Sequence, residues 1–165
     1  LISLAAILVY IWFRFEWQFG LAAVITTFHD VMMTIGVFSL TGMQFDLTII
    51  AALLAIVGYS LNDTVVVFDR IRENLRKYRK MDLRELIDLT INETLSRTTM
   101  TSFTTLLAVL ALFIFGGEVI HGFAAAMIWG ILLGTYSSIF VAAPLLPWLK
   151  VRRDFGEMTE AKAKP

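Results

Sequence analysis

Asp63 and Arg97 are the residues of this sequence whose type and placement best suit chemistry. Asp63 lies beside Asn62 in the run "IIAALLAIVGYSLNDTVVVFDRIREN", Ile49 to Asn74, where nearly every neighbour is apolar. Read as a helix whose apolar part ends near Phe68, the run sets Asp63 roughly 8 Å inside it, out of easy reach of bulk water. Ser60, Asn62 and Thr64 make its surroundings polar. Burial favours the neutral carboxyl, and a nearby cation favours the carboxylate. An acid held between those influences can change protonation near neutral pH, as a proton carrier must.

Arg97 can supply the cation. It opens the run "RTTMTSFTT", in which Thr101, Thr104 and Thr105 fall at i+4, i+7 and i+8 on its own helical face. Such a stripe can hold water or hydrogen-bond to another helix. Arginine stays charged at all relevant pH, so Arg97 is expected to oppose or release Asp63 and not to carry protons itself. Two plainer readings stand beside this one: an Asp–Arg pair that pins two helices, or an arginine that snorkels to the interface. A third polar site is Asp30, with Thr26 and Thr34 four residues to either side and His29 turned about 100° away. Asp30 either lines the same interior or hydrogen-bonds a neighbouring helix without titrating.

These side chains need elements to hold them in a bilayer. The 165 residues are 58% apolar and 17% charged, with a mean hydropathy of +0.74. That is a membrane protein's composition. Apolar segments at 1–13, 17–40, 47–68, 98–115 and 122–148 read as five spanning helices in an all-α bundle covering 1–149, with 150–165 as a tail. All but the first have the eighteen or more residues a crossing requires, and none alternates with the period of a barrel strand. The first, "LISLAAILVYIWF", would rise only about 20 Å against a hydrocarbon core of about 30 Å. It is expected to be the end of a longer span, and the chain a fragment.

Charge placement sets the topology. Of fourteen Lys and Arg, one (Arg14) precedes the second segment, eight lie from Arg70 to Arg97 and five lie from Lys150 onward. The loops "TGMQFD" and "GGEVIH" hold none. By the positive-inside rule the basic loops and the C-terminus face the cytoplasm and the N-terminus of the chain lies outside. Within 69–97, Ile71, Leu75 and Tyr78, then Leu83, Leu86, Ile87, Ile91 and Leu95, recur at helical spacing, with Asp82 and Glu85 resembling a capped start. Two short amphipathic helices are expected there, on the membrane surface or against the ends of the spans. In the last segment Gly122, Ala126, Gly130, Gly134, Ser138 and Ala142 are small at every fourth position, a pattern for close helix packing. It drifts by about 40° per step, so it cannot face one straight neighbour throughout.

Several functions find no support. Zero net charge gives no field for nucleic acid, the absence of cysteine removes thiolate sites, and two distant histidines make a poor metal site. No nucleophile elbow, P-loop or HExxH is present. No enzyme activity, cofactor or metal is expected. Work must come from an ion gradient or a partner.

"GYSLNDTVVVFDRIREN" (58–74), "ETLSRTTMTSFTTL" (93–106), "FRFEW" (13–17), "HDV" (29–31) and "FGGEVIHGF" together resemble the bacterial SecF family over essentially the whole chain. The resemblance implies spans 2–6 of a six-span half of the RND type, in the bacterial cytoplasmic (inner) membrane, lacking the first span and a periplasmic domain. It implies SecD as a pseudo-symmetric partner, association with the SecYEG channel and with YajC, and a translocating polypeptide drawn outward by the proton-motive force after the SecA step. It also implies that Asp63 and Arg97 serve proton passage, with Asn62, Asp30, Ser60, Thr101 and Thr105 as supporting polar residues. RND drug pumps often carry two adjacent acids where this chain has Asn62–Asp63, which favours export over efflux. A scaffold that stabilises the channel and a proton-coupled small-molecule exporter remain the competing readings.

Overall fold

The computed structural model describes residues 17–42 and 46–149. The apolar segment 1–13, Arg14 and the tail 150–165 lie outside the described residues. Four helices among those described are long and apolar enough to cross a membrane. They are α1 (Trp17–Thr41), α2 (Leu47–Lys77), α3 (Leu83–Phe115) and a last rod made of α4 (Glu118–Ser137), a π-helical turn (Ser138–Ala142) and α5 (Ala143–Trp148).

The ends of the helices follow from local chemistry. Gly42 closes α1 with φ +67°, a left-handed conformation that glycine adopts without steric cost. Asp46 caps α2 by accepting from the Ile49 amide at 2.9 Å, and Asp82 caps α3 by accepting from the Arg84 amide at 3.1 Å. The Asp82 start anticipated from sequence is thus present. Arg76 and Lys77 occupy the last turn of α2, where cations favour the negative end of the helix dipole.

The segment 69–97 is helical, but its two pieces are prolongations of α2 and α3 and not separate helices. No proline or glycine interrupts either one, so the backbone ladder continues past the apolar part and breaks only at Tyr78–Asp82. Their apolar stripes face each other: Ile71 and Leu75 bury against Leu86 and Ile87, with Tyr78, Met81, Leu83 and Ile91 around them. The result is a basic helical hairpin rising from the bundle.

A polar tie holds that hairpin. Asn74, wholly buried, donates to Thr90 Oγ1 at 2.9 Å and to Glu93 Oε2 at 3.0 Å. Arg70 Nε donates to the same Glu93 oxygen at 2.9 Å and its Nη1 to Glu73 at 2.7 Å. The Asn74 and Arg70 donors hold the Glu93 carboxyl below its ordinary value of 4.5. A depressed carboxyl contributes stability above the unfolded value and loses it as pH falls. Amide protection across 71–94, taken relative to the intrinsic exchange rate at each pH, is therefore expected to hold down to about pH 4.5 and to fall below it. Asn74→Ala should lower it at every pH, by about 1–3 kcal/mol of opening free energy, because Thr90 and Glu93 lose a buried partner.

Across the bundle the polarity is inverted relative to a water-soluble protein. Phe28, Met32, Met33, Leu40, Leu54, Met100, Phe103, Leu107, Ile114 and Phe140 are exposed, while Thr26, Asp30, Thr34, Ser60, Asp63, Thr64, Thr98, Ser137 and Ser138 are buried. Apolar side chains need no protein cover in lipid, whereas polar ones must find partners inside the protein.

α2 is central and packs on α1, α3 and α4. It runs parallel to the last rod, and the small residues of that rod supply the contact. Ala126 meets Ile49 and Ala52, Gly130 lies on the Ile56 side chain, and Gly134 lies on the backbone and Cβ of Ser60. Gly122 faces open space, so the stripe begins to work only at Ala126. The drift expected of a period-four pattern is corrected at Ser138–Ala142. The wider π turn rotates less per residue than an α turn and keeps Ser138 and Ala142 on the inner side, both fully buried.

Candidate proton-binding site

Asp30 projects from the middle of α1 and has no exposed surface. Its Oδ2 accepts from Ser60 Oγ of α2 at 2.5 Å and from Ser137 Oγ of α4 at 2.7 Å. Its Oδ1 lies 3.1 Å from Nδ1 of His29, itself about one third exposed. Asp63 projects from α2 and is 8% exposed. Its Oδ1 accepts from Thr98 Oγ1 of α3 at 3.1 Å, and its Oδ2 from Ser138 Oγ at 2.5 Å.

The two acids form one seam. Ser137 and Ser138 are consecutive, and each donates to a different carboxylate. Ser60, which serves Asp30, lies one helical turn before Asp63, so the two sites stand about 4.5 Å apart along α2. Asp63 is the nearer to the basic hairpin. A further hydroxyl chain borders the seam: Tyr59 Oη donates to Ser102 Oγ at 2.9 Å, and Ser102 bonds Thr135 Oγ1 at 2.6 Å.

Gly134 lies against Ser60 at this junction: a Cβ there would stand 3.4 Å from the Cβ of Ser60, an ordinary contact. The α4 backbone thus passes close to Ser60 just before the two serines that reach the acids. Ser138 also opens the π turn, the irregularity that keeps its hydroxyl inward. π turns recur at functional sites because they re-aim individual side chains.

The sequence-derived candidates divide into two groups. Asp63, Asp30 and Ser60 meet in the seam. Asn62 is exposed on the other side of α2. Arg97 is exposed, one residue before Thr98, and among the described residues neither buried acid stands within ion-pair distance of a Lys or Arg. Thr101, Thr104 and Thr105 bend their hydroxyls onto backbone carbonyls of their own helix, Thr101 onto that of Arg97 at 3.1 Å. The face of α3 turned to α2 is instead the row Thr90, Thr94 and Thr98, all buried.

Thr98, Ser137 and Ser138 were not singled out as site residues from sequence. Signals for them were present: Thr98 adjoins Arg97, and Ser138 belongs to the small-residue stripe with Ser137 next to it.

Two buried carboxyl groups held by hydroxyls, one of them also touched by a partly exposed histidine, suit reversible proton binding. A buried carboxylate without a cation is costly to keep charged. A hydroxyl can donate to the charged form and, after rotation, accept from the neutral form. Among the described residues no group of His, Asp and Glu is arranged to hold a metal ion.

Comparison with known proteins agrees with this architecture. Residues 1–152 match the family described as protein export membrane protein SecD/SecF, C-terminal. The chain is 54% identical over 154 residues to the protein translocase subunit SecF of Rhodobacter capsulatus, covering 93% of this chain and 46% of that one. It is 56% identical over 153 residues to the SecF of Rickettsia felis, covering 93% and 50%. The chain thus spans about half the length of the relatives it matches. The crystal structure of SecDF in a super-membrane-facing form superposes with a TM-score of 0.85 at 50% identity, over 98% of this chain and 22% of that one. SecDF of Thermus thermophilus, described as a translocon-associated membrane protein, gives 0.86 at 52%, over 90% and 21%. On its sequence and its helical framework together, the chain belongs to the SecD/SecF C-terminal family of protein export membrane proteins.

Proposed function

We propose that this chain is the membrane-embedded part of an accessory protein-export subunit. It uses the proton-motive force, together with SecD, to promote passage of secreted polypeptides through the SecYEG channel of the bacterial inner membrane. One observation carries the reading: Asp63 is buried among hydroxyls at the junction of α2, α3 and the last rod, inside a SecF-family chain. The solved relatives are SecDF chains of which this chain covers about a fifth, so a SecD half is the expected companion. YajC is a further expected associate. The basic hairpin and the C-terminal end of the last rod lie on the cytoplasmic face in this reading.

Arg97 takes its role from its position beside Thr98. Consecutive helical residues stand about 100° apart, so a partial rotation of α3 replaces the Thr98 hydroxyl on Asp63 with the Arg97 guanidinium. Thr98 and Ser138 serve Asp63 in the arrangement seen here, and a charged Asp63 draws the cation in place of Thr98. Protonation and deprotonation therefore bias α3 between two positions, and a displaced span is what a periplasmic domain can amplify. Each elementary charge moved across the membrane is worth about 2.3 kcal/mol per 100 mV.

The test uses vesicles holding the full-length subunit, SecD and the channel. Completion of export after the ATP-driven step is expected to accelerate with a proton gradient and to lose that acceleration with a protonophore. Equal rates in both conditions, with export still dependent on the subunit's presence, would leave a scaffold.

A further inference from the structure

We propose that Asp30 is a second proton-binding carboxyl, coupled to Asp63 through the adjacent hydroxyls of Ser137 and Ser138. The inference rests on the proton-linked reading of Asp63 and adds to it a site one turn farther from the basic hairpin.

The hydroxyl geometry is the main observation. Ser137 Oγ lies 2.7 Å from Asp30 Oδ2 and 3.2 Å from the Gly134 carbonyl. Ser138 Oγ lies 2.5 Å from Asp63 Oδ2 and 3.0 Å from the Thr135 carbonyl. Each hydroxyl has one proton and so serves one acceptor at a time. With the acid charged, the serine donates to it. With the acid protonated, the serine turns its proton to the carbonyl one turn back and accepts the new O–H of the acid. Each acid thus keeps a serine hydrogen bond in either protonation state. Such a second acceptor is common for helical serines, and here both have one within reach. The step balances simply: one proton enters from water and changes the carboxylate to a carboxyl, and the same proton later leaves. Neither serine gains or loses a proton.

Among the described residues, the titratable groups nearest Asp30 are His29 on its own helix and Asp63 on α2; α4 offers the Ser137 hydroxyl, which also reaches the Gly134 carbonyl. His29 is one third exposed and touches Oδ1, the carboxylate oxygen that the serines leave free. Because Ser137 and Ser138 are neighbours at the start of the π turn, a change of partner at one acid acts on the backbone that presents the hydroxyl to the other.

The experiment is infrared difference spectroscopy between acidic and alkaline pH on the full-length subunit with SecD in liposomes. Beside the broad signal of surface acids, the wild type is expected to show two further protonated-carboxyl bands from Asp63 and Asp30. Asp63→Asn removes one and assigns it. Asp30→Asn, which keeps size and hydrogen-bonding capacity, removes the other and, through the coupling, shifts the Asp63 band without abolishing it. Ser137→Ala retains the acid but shifts the frequency of the Asp30 band, and it keeps the test decisive if Asp30→Asn does not fold. A spectrum with the Asp63 band alone, unaltered by either Asp30→Asn or Ser137→Ala, overturns the proposal and spares the proton-linked role of Asp63. A spectrum with neither band removes both.

Discussion

Asp63→Asn in the full-length subunit is expected to reduce proton-driven export to the rate measured with the gradient collapsed. The asparagine occupies the same volume and can still accept from Thr98 through its carbonyl. Its amide can donate to Ser138, whose own proton then turns to the Thr135 carbonyl 3.0 Å away. The packing of α2 against α3 and the last rod is therefore kept, and what disappears is the change of charge. With it disappears the alternation between a hydroxyl and a guanidinium partner, and the roughly 2.3 kcal/mol per 100 mV that each proton could have contributed. Asp63→Glu restores a titrating group one methylene out of place and should recover part of the rate. Arg97→Lys keeps a cation without the planar fork, so its rate distinguishes a need for charge from a need for two parallel hydrogen bonds. Gradient-driven export at the wild-type rate in Asp63→Asn vesicles would falsify the assignment.

How far sequence led to this site can be judged residue by residue. The helices of the bundle were legible because a bilayer leaves little choice: the long apolar runs at 17–40, 47–68, 98–115 and 122–148 each lie within one of the four long helical rods, although only α1 matches its run almost to the residue. Asp63 and Asp30 were legible because an acid in such a run is expensive. The partner across the gap was not. Arg97 and Thr98 differ by one position, or about 100° of helix, and two rows of hydroxyls interleave along α3. One row is Thr101, Thr104 and Thr105; the other is Thr90, Thr94, Thr98 and Ser102. Choosing between them requires knowing which side of α3 meets α2, and that is decided by packing far along the chain, at Val109 and at the hairpin. The continuity of α2 and α3 beyond the apolar runs was hidden for a related reason. Hydropathy reports where the bilayer ends, whereas a helix ends where its capping residues and its packing stop. The π turn had no sequence signal of its own, only the period-four stripe whose drift it corrects.

That stripe carries the second large effect. Gly130→Ala is expected to destabilise the subunit by about 1–3 kcal/mol, the range for forcing a methyl group into a filled core. An added Cβ would collide with Cγ1, Cγ2 and Cδ1 of Ile56 together, and Ile56 is 1% exposed, enclosed by Val109, Ala124, Met127 and Ile131. Two of the three atoms, Cγ1 and Cγ2, are bonded directly to Cβ, so relief requires more than moving the far end of a flexible side chain. Gly122→Ala is the control, since nothing lies within 4 Å of the added carbon and alanine is favoured over glycine in a helix by about 1 kcal/mol. The two substitutions should thus move thermal unfolding of the full-length complex in opposite directions. Ile56→Ala alone should cost about 2–5 kcal/mol as a cavity. Combined with Gly130→Ala it should cost less than the sum, with a coupling of about 0.5–3 kcal/mol, because the methyl then fills the space left by the isoleucine. Strict additivity would mean that α2 and α4 do not touch at this level. Their contact matters beyond stability, because Gly134, one turn on, lies against Ser60 just before Ser137 and Ser138 reach the two acids. A bulkier residue at Gly130 that still folds should therefore slow proton-driven export as well, by prising the serines away from carboxyl groups it never touches.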